Sequence, residues 1–429
     1  MQPPPNHIFE HTPDSLALWC EQEGLPKFRA KQILEWVYEK GIADPALMSN
    51  LSKADRELLA AKMTFVSGDI VLHQSATDGT QKLLVQWRDG GASTPATTPI
   101  EPTASLSLPQ LGMETASGDP TRQTECVMIP TEDRRTACIS SQVGCPVGCK
   151  FCASGLGGLD HNLTAGRIVE QVWLLRRMMM RATPLQNGSI NQPQTQPNNR
   201  PDATPPIPPS TPALPDFTRI TNVVFMGMGE PLSNLSAVVP AIRAICSLWG
   251  HAISARKVTI STVGLPKSIE RLAEQLDLPV TLALSLHAPT DEIRRTLIPW
   301  AHYTTIAELL ASCQKWFEKT GREITLEYTL LHAVNDQPEH AKQLAHIAKS
   351  LRANINLIRY NEVAGLPFER PRDENVRAFQ DYLRAKNLNV HIRASRGRDI
   401  AAACGQLRHE TGTKQRQQAA TATSTSSPK

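Results

Sequence analysis

The chain has 429 residues, 40 % hydrophobic and 20 % charged, with a formal net charge of +4. That length can bury a full core and more than one domain. No run approaches the ~18 apolar residues of a bilayer span, and Met1 to Pro13 lacks the basic end and apolar stretch of a signal peptide, so a cytoplasmic enzyme with no membrane partner is expected.

In chain order, residues 14 to 62 read as helical, with Leu16, Trp19, Phe28, Ile33, Leu34, Trp36 and Val37 at roughly helical spacing and a helix entrance at Asn50-Leu-Ser52. Residues 64 to 88 alternate as strands, as in Lys82-Leu-Leu-Val-Gln-Trp87. The pattern predicts a helical module leading into a short sheet, an accessory domain over 10–88. Two stretches, 89–122 and 182–216, are rich in Gly, Ser, Thr and Pro, and the tail 411–429 resembles them. Their composition cannot bury enough apolar surface to offset ordering entropy, so they are expected to be disordered. The remainder, 123–410, is read as the core domain.

Within that core a βα rhythm appears. Strands are expected at 135–141, 220–226, 257–261, 279–285, 323–330, 356–360 and, shorter, 389–393. Helices are expected at 165–181, 237–248, 266–275, 305–320, 338–351 and 374–386. Such alternation predicts α/β architecture with parallel pairing, as a partial (βα)6 barrel or an open doubly wound sheet. In either, chemistry belongs at the carboxyl ends of the strands.

Nine cysteines, odd in number and scattered, argue for reduced thiols rather than a disulfide framework. Three of them, Cys145, Cys149 and Cys152, form a C-x3-C-x2-C loop just past the first core strand. A cubane takes one thiolate per iron, so three leave one iron open for a substrate-like ligand. The spacing, with Phe151 before the last cysteine, resembles the radical S-adenosylmethionine superfamily. Zinc with His161 as fourth ligand is the alternative, but no second cysteine pair at zinc spacing supports it. The second strand runs into Gly227-Met-Gly-Glu-Pro231, where Gly229 permits close approach and Glu230 offers a carboxylate to a cationic amino group. Ser261, Ser285-Leu286-His287 and Asn361 follow later strands and supply hydrogen-bonding groups toward the same mouth. Cys138 lies in the first core strand. Cys404 lies between Arg396-Gly-Arg398 and Gly405, an electropositive loop expected to lower a thiol pKa.

Taken in order, Thr124-Glu-Cys-Val-Met-Ile-Pro130, Cys138, the cysteine loop, Gly227 to Pro231, Ser285-Leu-His-Ala-Pro289 and Ala403-Cys-Gly-Gln406 resemble the RlmN/Cfr family of radical S-adenosylmethionine RNA methyltransferases, and RlmN members most. The match runs from Phe28-Arg-Ala-Lys-Gln32 through Gln406 and omits both low-complexity stretches. The resemblance implies a radical-SAM barrel, a [4Fe–4S] cluster on Cys145, Cys149 and Cys152, and S-adenosylmethionine bound by Gly229, Glu230, Ser261, Ser285, Leu286, His287 and Asn361. It implies a route using two S-adenosylmethionine molecules per turnover: Cys404 takes a methyl group from the first, a radical made from the second removes hydrogen from that methyl, and the carbon adds to adenine. Glu125 matches the family's general base, and Cys138 would release product through a transient disulfide with Cys404. The implied partners are 23S rRNA at an adenine C2, the adenosine 3′ of some tRNA anticodons, and a reductant such as flavodoxin, with the chain a monomer. Lys27, Arg29, Lys31, Arg176, Arg177 and Arg181 offer phosphate contacts. A Cfr-type C8 methylation shares the same residues, and a non-enzymatic RNA-binding protein stabilised by zinc or a cluster remains the alternative of another class. Cys20, Cys126, Cys246 and Cys313 are expected to be structural.

Overall fold

The computed structural model describes residues 1–90, 119–182 and 219–407; the two proline-rich stretches, apart from their edges, and the tail lie outside the described residues. The first helices are α1 (Pro13–Gln22), α2 (Arg29–Leu34) and α3 (Lys53–Lys62). Thr12 caps α1 through a reciprocal bond with Ser15, and Ser52 caps α3 through Asp55 N–H, satisfying donors the first turn leaves free. Their apolar faces close over Ile8, Phe9, Val37 and Tyr38.

Twelve strands follow among the described residues. They are β1 (Gly68–Ser75), β2 (Gln81–Trp87), β3 (Gln123–Pro130), β4 (Arg135–Cys138), β5 (Gln142–Gly144), β6 (Leu159–Asn162), β7 (Asn222–Phe225), β8 (Val258–Thr262), β9 (Thr281–Ser285), β10 (Ile324–Leu330), β11 (Ala353–Arg359) and β12 (Val390–Arg393). Ten of them build one sheet in the order β1-β2-β3-β4-β7-β8-β9-β10-β11-β12. From β4 onward every pairing is parallel. The connecting helices are α4 (Ala165–Ala182), α5 (Leu235–Cys246), α6 (Pro266–Gln275), α7 (Asp291–Leu297), α8 (Ile306–Thr320), α9 (Pro338–Lys349) and α10 (Asp373–Arg384). Parallel neighbours joined through helices give the expected partial barrel. It is open, because β1 and β12 are the two ends of the hydrogen-bonded order.

The strands of the expected short sheet, β1 and β2, pair antiparallel and continue through β3 into β4. The hairpin is thus the first part of the barrel sheet. Residues 91–118 fall in the connection between β2 and β3, whose strands meet at Gln86↔Gln123 and whose neck is closed by Arg122 Nη1 to Asp89 Oδ2 at 2.5 Å. The N-terminal helices are fastened to the barrel by α4. Trp173 Nε1 donates to Val37 O at 2.8 Å, and the fully buried Glu170 carboxylate accepts from Ser67 N and Gly68 N and pairs with His7. Arg176 reaches the Tyr38 and Glu39 carbonyls, and Arg29 pairs with Asp55 at 3.0 Å. Two of the arginines expected to meet phosphate therefore brace their own chain. Among the described residues no helix is long and apolar enough to cross a membrane.

Candidate active site

The cysteine loop hangs between β5 and β6, a two-stranded ear outside the main sheet. At its base Gly144 has φ +77, and a Cβ there would stand 2.0 Å from Gly158 O, so only glycine closes the ear. Cys145, Cys149 and Cys152 all pack against one apolar cluster of Val147, Phe151, Val263, Leu297, Ile298, Ala301, Leu331 and Tyr360. Burial pushes the Cys145 thiol up to about 12 and holds Cys149 well above its usual value; Cys152 adds to both rises, and Cys145 adds to that of Cys149. Three coupled thiols in an apolar nest resist ionisation until a cation arrives, which is the donor chemistry of an iron–sulfur centre. Among the described residues no three His, Cys, Asp or Glu side chains converge tightly enough to hold one metal ion. A cubane asks for something wider, one thiolate at each of three separate irons. His161, the possible zinc ligand, points elsewhere: its ring lies 3.4 Å from the Met1 amino group.

Around this nest stand the ends of β7, β8 and β9. Gly229 has φ +104, and a Cβ on it would collide with Gln142 and Ser141. Glu230, 3 % exposed, accepts from Leu232 N at 2.9 Å and Val263 N at 2.8 Å. Burial outweighs those bonds and lifts its carboxyl to about 7. Ser261 and Ser285, at the ends of neighbouring strands, have their hydroxyls 3.1 Å apart. His287 adopts φ +55, held by Asn335 Nδ2 on its carbonyl at 2.8 Å and by Thr329 N donating to its Nδ1 at 3.0 Å. Its ring meets Phe151 edge-on, with centroids 5.1 Å apart, and burial, then Arg294, lowers its pKa to about 3, so it is neutral. Arg294 itself is buried, donates to Val263 O and Leu286 O, and is the cation that opposes the rise of Cys149. The sequence offered no sign of it, because α7 carries no apolar periodicity.

A second group of residues meets in a cavity of about 80 Å3 inside the barrel. Cys138, Met226, Asn361, Arg393, Arg396 and Cys404 are among its walls. Both cysteines are free thiols. Burial, then Cys404, pushes the Cys138 thiol up to about 12, and Arg393 opposes the rise. Cys404 is in turn the largest influence raising the Arg393 pKa, ahead of Glu327. Arg393 Nη1 lies 3.3 Å from Glu327 Oε2, and Asn356 secures the other carboxylate oxygen at 2.9 Å. The electropositive surrounding expected of Cys404 thus comes chiefly from Arg393 at the end of β12. Arg396 also lines the cavity, and Arg398 is exposed. Asn361 Nδ2 donates to Cys404 O at 3.3 Å, leaving its Oδ1 buried with no partner. Glu125 is buried, 5 % exposed. Its carboxylate meets Lys82 Nζ at 2.8 Å, and Val127, on the same face of β3, packs with Cys138 and Met228. The two groups are joined where Gly405 O accepts from Ala153 N at 2.8 Å, one residue past Cys152.

Residues 7–65 match the family model described as the ribosomal RNA large subunit methyltransferase N-terminal domain. A probable dual-specificity RNA methyltransferase RlmN of Rhodopirellula baltica is 35 % identical over 410 residues, covering 96 % of this chain and 92 % of that protein. The chain belongs to the RlmN family. Its RlmN relative in Dichelobacter nodosus, named a dual-specificity RNA methyltransferase, is 36 % identical over 94 % of this chain and 93 % of its own length. The crystal structure of a radical SAM methyltransferase from Sphaerobacter thermophilus superposes with TM-score 0.77 at 34 % identity, covering 95 % of this chain and all of that one. The fold of a radical SAM methyltransferase therefore extends over nearly the whole chain.

Proposed function

We propose that the chain is a radical S-adenosylmethionine methyltransferase that places a methyl group on C2 of a specific adenosine in 23S rRNA and of the adenosine 3′ of the anticodon in tRNA, by way of an S-methylcysteine at Cys404. The observation that carries this reading is the shared cavity of Cys138, Arg393 and Cys404, tied by backbone to the three-thiol nest. Cys145, Cys149 and Cys152 would hold a [4Fe–4S] cluster; Gly229, Glu230, Ser261, Ser285, Leu286, His287 and Asn361 would hold S-adenosylmethionine. When bound, cluster and S-adenosylmethionine together supply a hydrogen-abstracting radical, the step for which proteins recruit cofactors.

The chain's own side chains account for the remaining steps. The Cys404 sulfur takes the methyl group and carries its carbon to the adenine ring. Glu125 removes the proton from the ring carbon that gains the new bond, and the single electron left on the ring would pass back to the oxidised cluster that Cys145, Cys149 and Cys152 would hold. Cys138 attacks the Cys404 sulfur: the S–S bond forms as the S–CH2 bond breaks, and the electron pair passes to carbon, which is protonated to methyl. An external reductant, flavodoxin or a thiol, then returns the disulfide to two thiols, as a reducing cytoplasm allows. The helical part of the expected 10–88 module serves as the accessory domain, its β1–β2 hairpin belongs with 123–410 to the core sheet, and the chain works as a monomer.

The test is anaerobic reconstitution with iron and sulfide, then incubation with S-adenosylmethionine, reductant and unmodified ribosomal RNA or tRNA, with nucleosides identified by mass spectrometry. 2-Methyladenosine, lost in Cys404→Ala, is expected. 8-Methyladenosine would move the reaction to the C8 position, and deoxyadenosine alone would remove RNA as the substrate. Absence of any iron–sulfur absorbance would overturn the reading.

A further inference from the structure

The reaction outlined above uses nothing from the β1–β2 hairpin, yet that hairpin reaches both the base and the methyl carrier. Lys82, on β2, is 5 % exposed. Its Nζ lies 2.8 Å from Glu125 Oε1 and 3.4 Å from the carbonyl oxygen of Ala401, in the loop leading to Cys404. Register explains the reach: Lys82 pairs with Val127 and Leu84 with Glu125, so lysine and glutamate are diagonal neighbours on one face of adjacent strands. An ammonium on a buried strand face is costly unless paired, and an apolar side chain would pack there with less penalty. Its two partners belong to separate segments: one is the proposed base, and the other lies three residues before the proposed methyl carrier.

The loop is fixed to the same hairpin a second time. Gly397 N donates to Asp78 Oδ2 at 3.0 Å, and Thr77 N donates to Asp399 Oδ2 at 2.9 Å. Residues 397–401 thus run from the β12 edge of the sheet to the β1–β2 turn, spanning its two ends. Ala401 has φ +49, a left-handed conformation that alanine adopts only when its surroundings impose it.

We infer that Lys82 is a positioning residue whose ammonium sets the separation between the Glu125 carboxylate and the loop carrying Cys404, with the Asp78–Gly397 and Asp399–Thr77 bonds fixing that loop to the hairpin. The inference rests on the roles proposed for Glu125 and Cys404. Misplacement by about 1 Å can cost roughly 100-fold in a reaction that depends on near-contact of the reacting atoms. A slack loop therefore lets the radical form without delivering its carbon.

The test uses the reconstituted full chain and two readouts, the thermal midpoint and the ratio of deoxyadenosine to methylated nucleoside. In Lys82→Met the ratio should rise about tenfold or more. Lys82→Arg, which keeps a cation, should recover most of the wild-type ratio. Asp399→Ala, at an exposed site unlike Lys82, should raise the ratio by about threefold, and it decides the matter if Lys82→Met does not fold. The double variant Lys82→Met with Glu125→Gln should regain thermal midpoint lost in Lys82→Met, since the buried carboxylate that lost its ammonium is then replaced by a neutral amide. An unchanged ratio in the folded variants, whatever their thermal midpoints, would overturn the inference. Wild-type protein that cleaves its cofactor but methylates no RNA would sink the proposed function itself.

Discussion

Cys145, Cys149 and Cys152 sit among valine, phenylalanine, leucine and isoleucine side chains, whereas Cys138 and Cys404 face a cavity they share with a guanidinium. Burial raises the Cys138 thiol as it raises the three in the nest, so depth does not separate their chemistry. Neighbours do. In the nest Cys152 opposes the ionisation of Cys145 and Cys149, Cys145 opposes that of Cys149, Arg294 offsets part of the rise at Cys149, and an added cation would relieve all three at once. In the cavity the cation is built into the fold, as Arg393 held by Glu327 and Asn356, and sulfur can react there through proton and electron-pair movement. On the proposed reading, one residue type thus serves as metal ligand in one place and nucleophile in the other.

Breaking the nest should give the largest effect. Cys149→Ala is expected to remove iron–sulfur absorbance and cofactor cleavage to background in anaerobic reconstitution. On the cavity side, Arg393→Met should destabilise the fold by about 3 kcal/mol or more, because it leaves the Glu327 carboxylate buried without its cation. Urea unfolding checks this, and adding Glu327→Gln should restore most of the loss. Smaller and pH-dependent is the effect of Glu230, beside the nest. An acid whose folded pKa, here about 7, lies above its unfolded value of 4.5 favours the fold fully below the lower value and loses that contribution as pH rises through the higher. The span corresponds to at most about 3 kcal/mol at roughly 1.4 kcal/mol per pKa unit. Glu230→Gln should flatten the apoprotein's stability between those two pH values; an unchanged thermal midpoint–pH curve would contradict it. His161→Ala should leave iron–sulfur absorbance intact, and its loss would reopen zinc-type ligation.

Much of the barrel was legible. The helix expected at 266–275 is α6, Pro266–Gln275, and each core strand falls within a few residues of its expected range, because period-2 and helical patterns alternate cleanly there. α7 escaped notice because it is short and polar, and β3 because it follows directly on a proline-rich stretch. At the site, clustered or strand-end residues such as the cysteine loop and Glu230 announce themselves by spacing. Lys82, Arg294 and Arg393 do not. Each acts on a partner brought near only by the sheet, and for Cys404 the arginines closest in sequence drew attention away from Arg393, which lies on the strand before them.

The two proline-rich stretches look alike as composition, yet they attach at opposite ends of the barrel. Residues 91–118 leave and return at Trp87 and Gln123, beyond Cys138 in register, on the side where the parallel strands end. Residues 183–218 depart from the far end of α4 and return at β7, where the parallel strands begin. Loop length alone adds little free energy, about 0.6 kcal/mol per doubling. For anyone labelling or tethering this protein the two places are not interchangeable: a fluorophore or affinity handle spliced into 183–218 would join the chain at the end of the sheet away from Cys138, while the same cargo in 91–118 would join it at the end beyond Cys138.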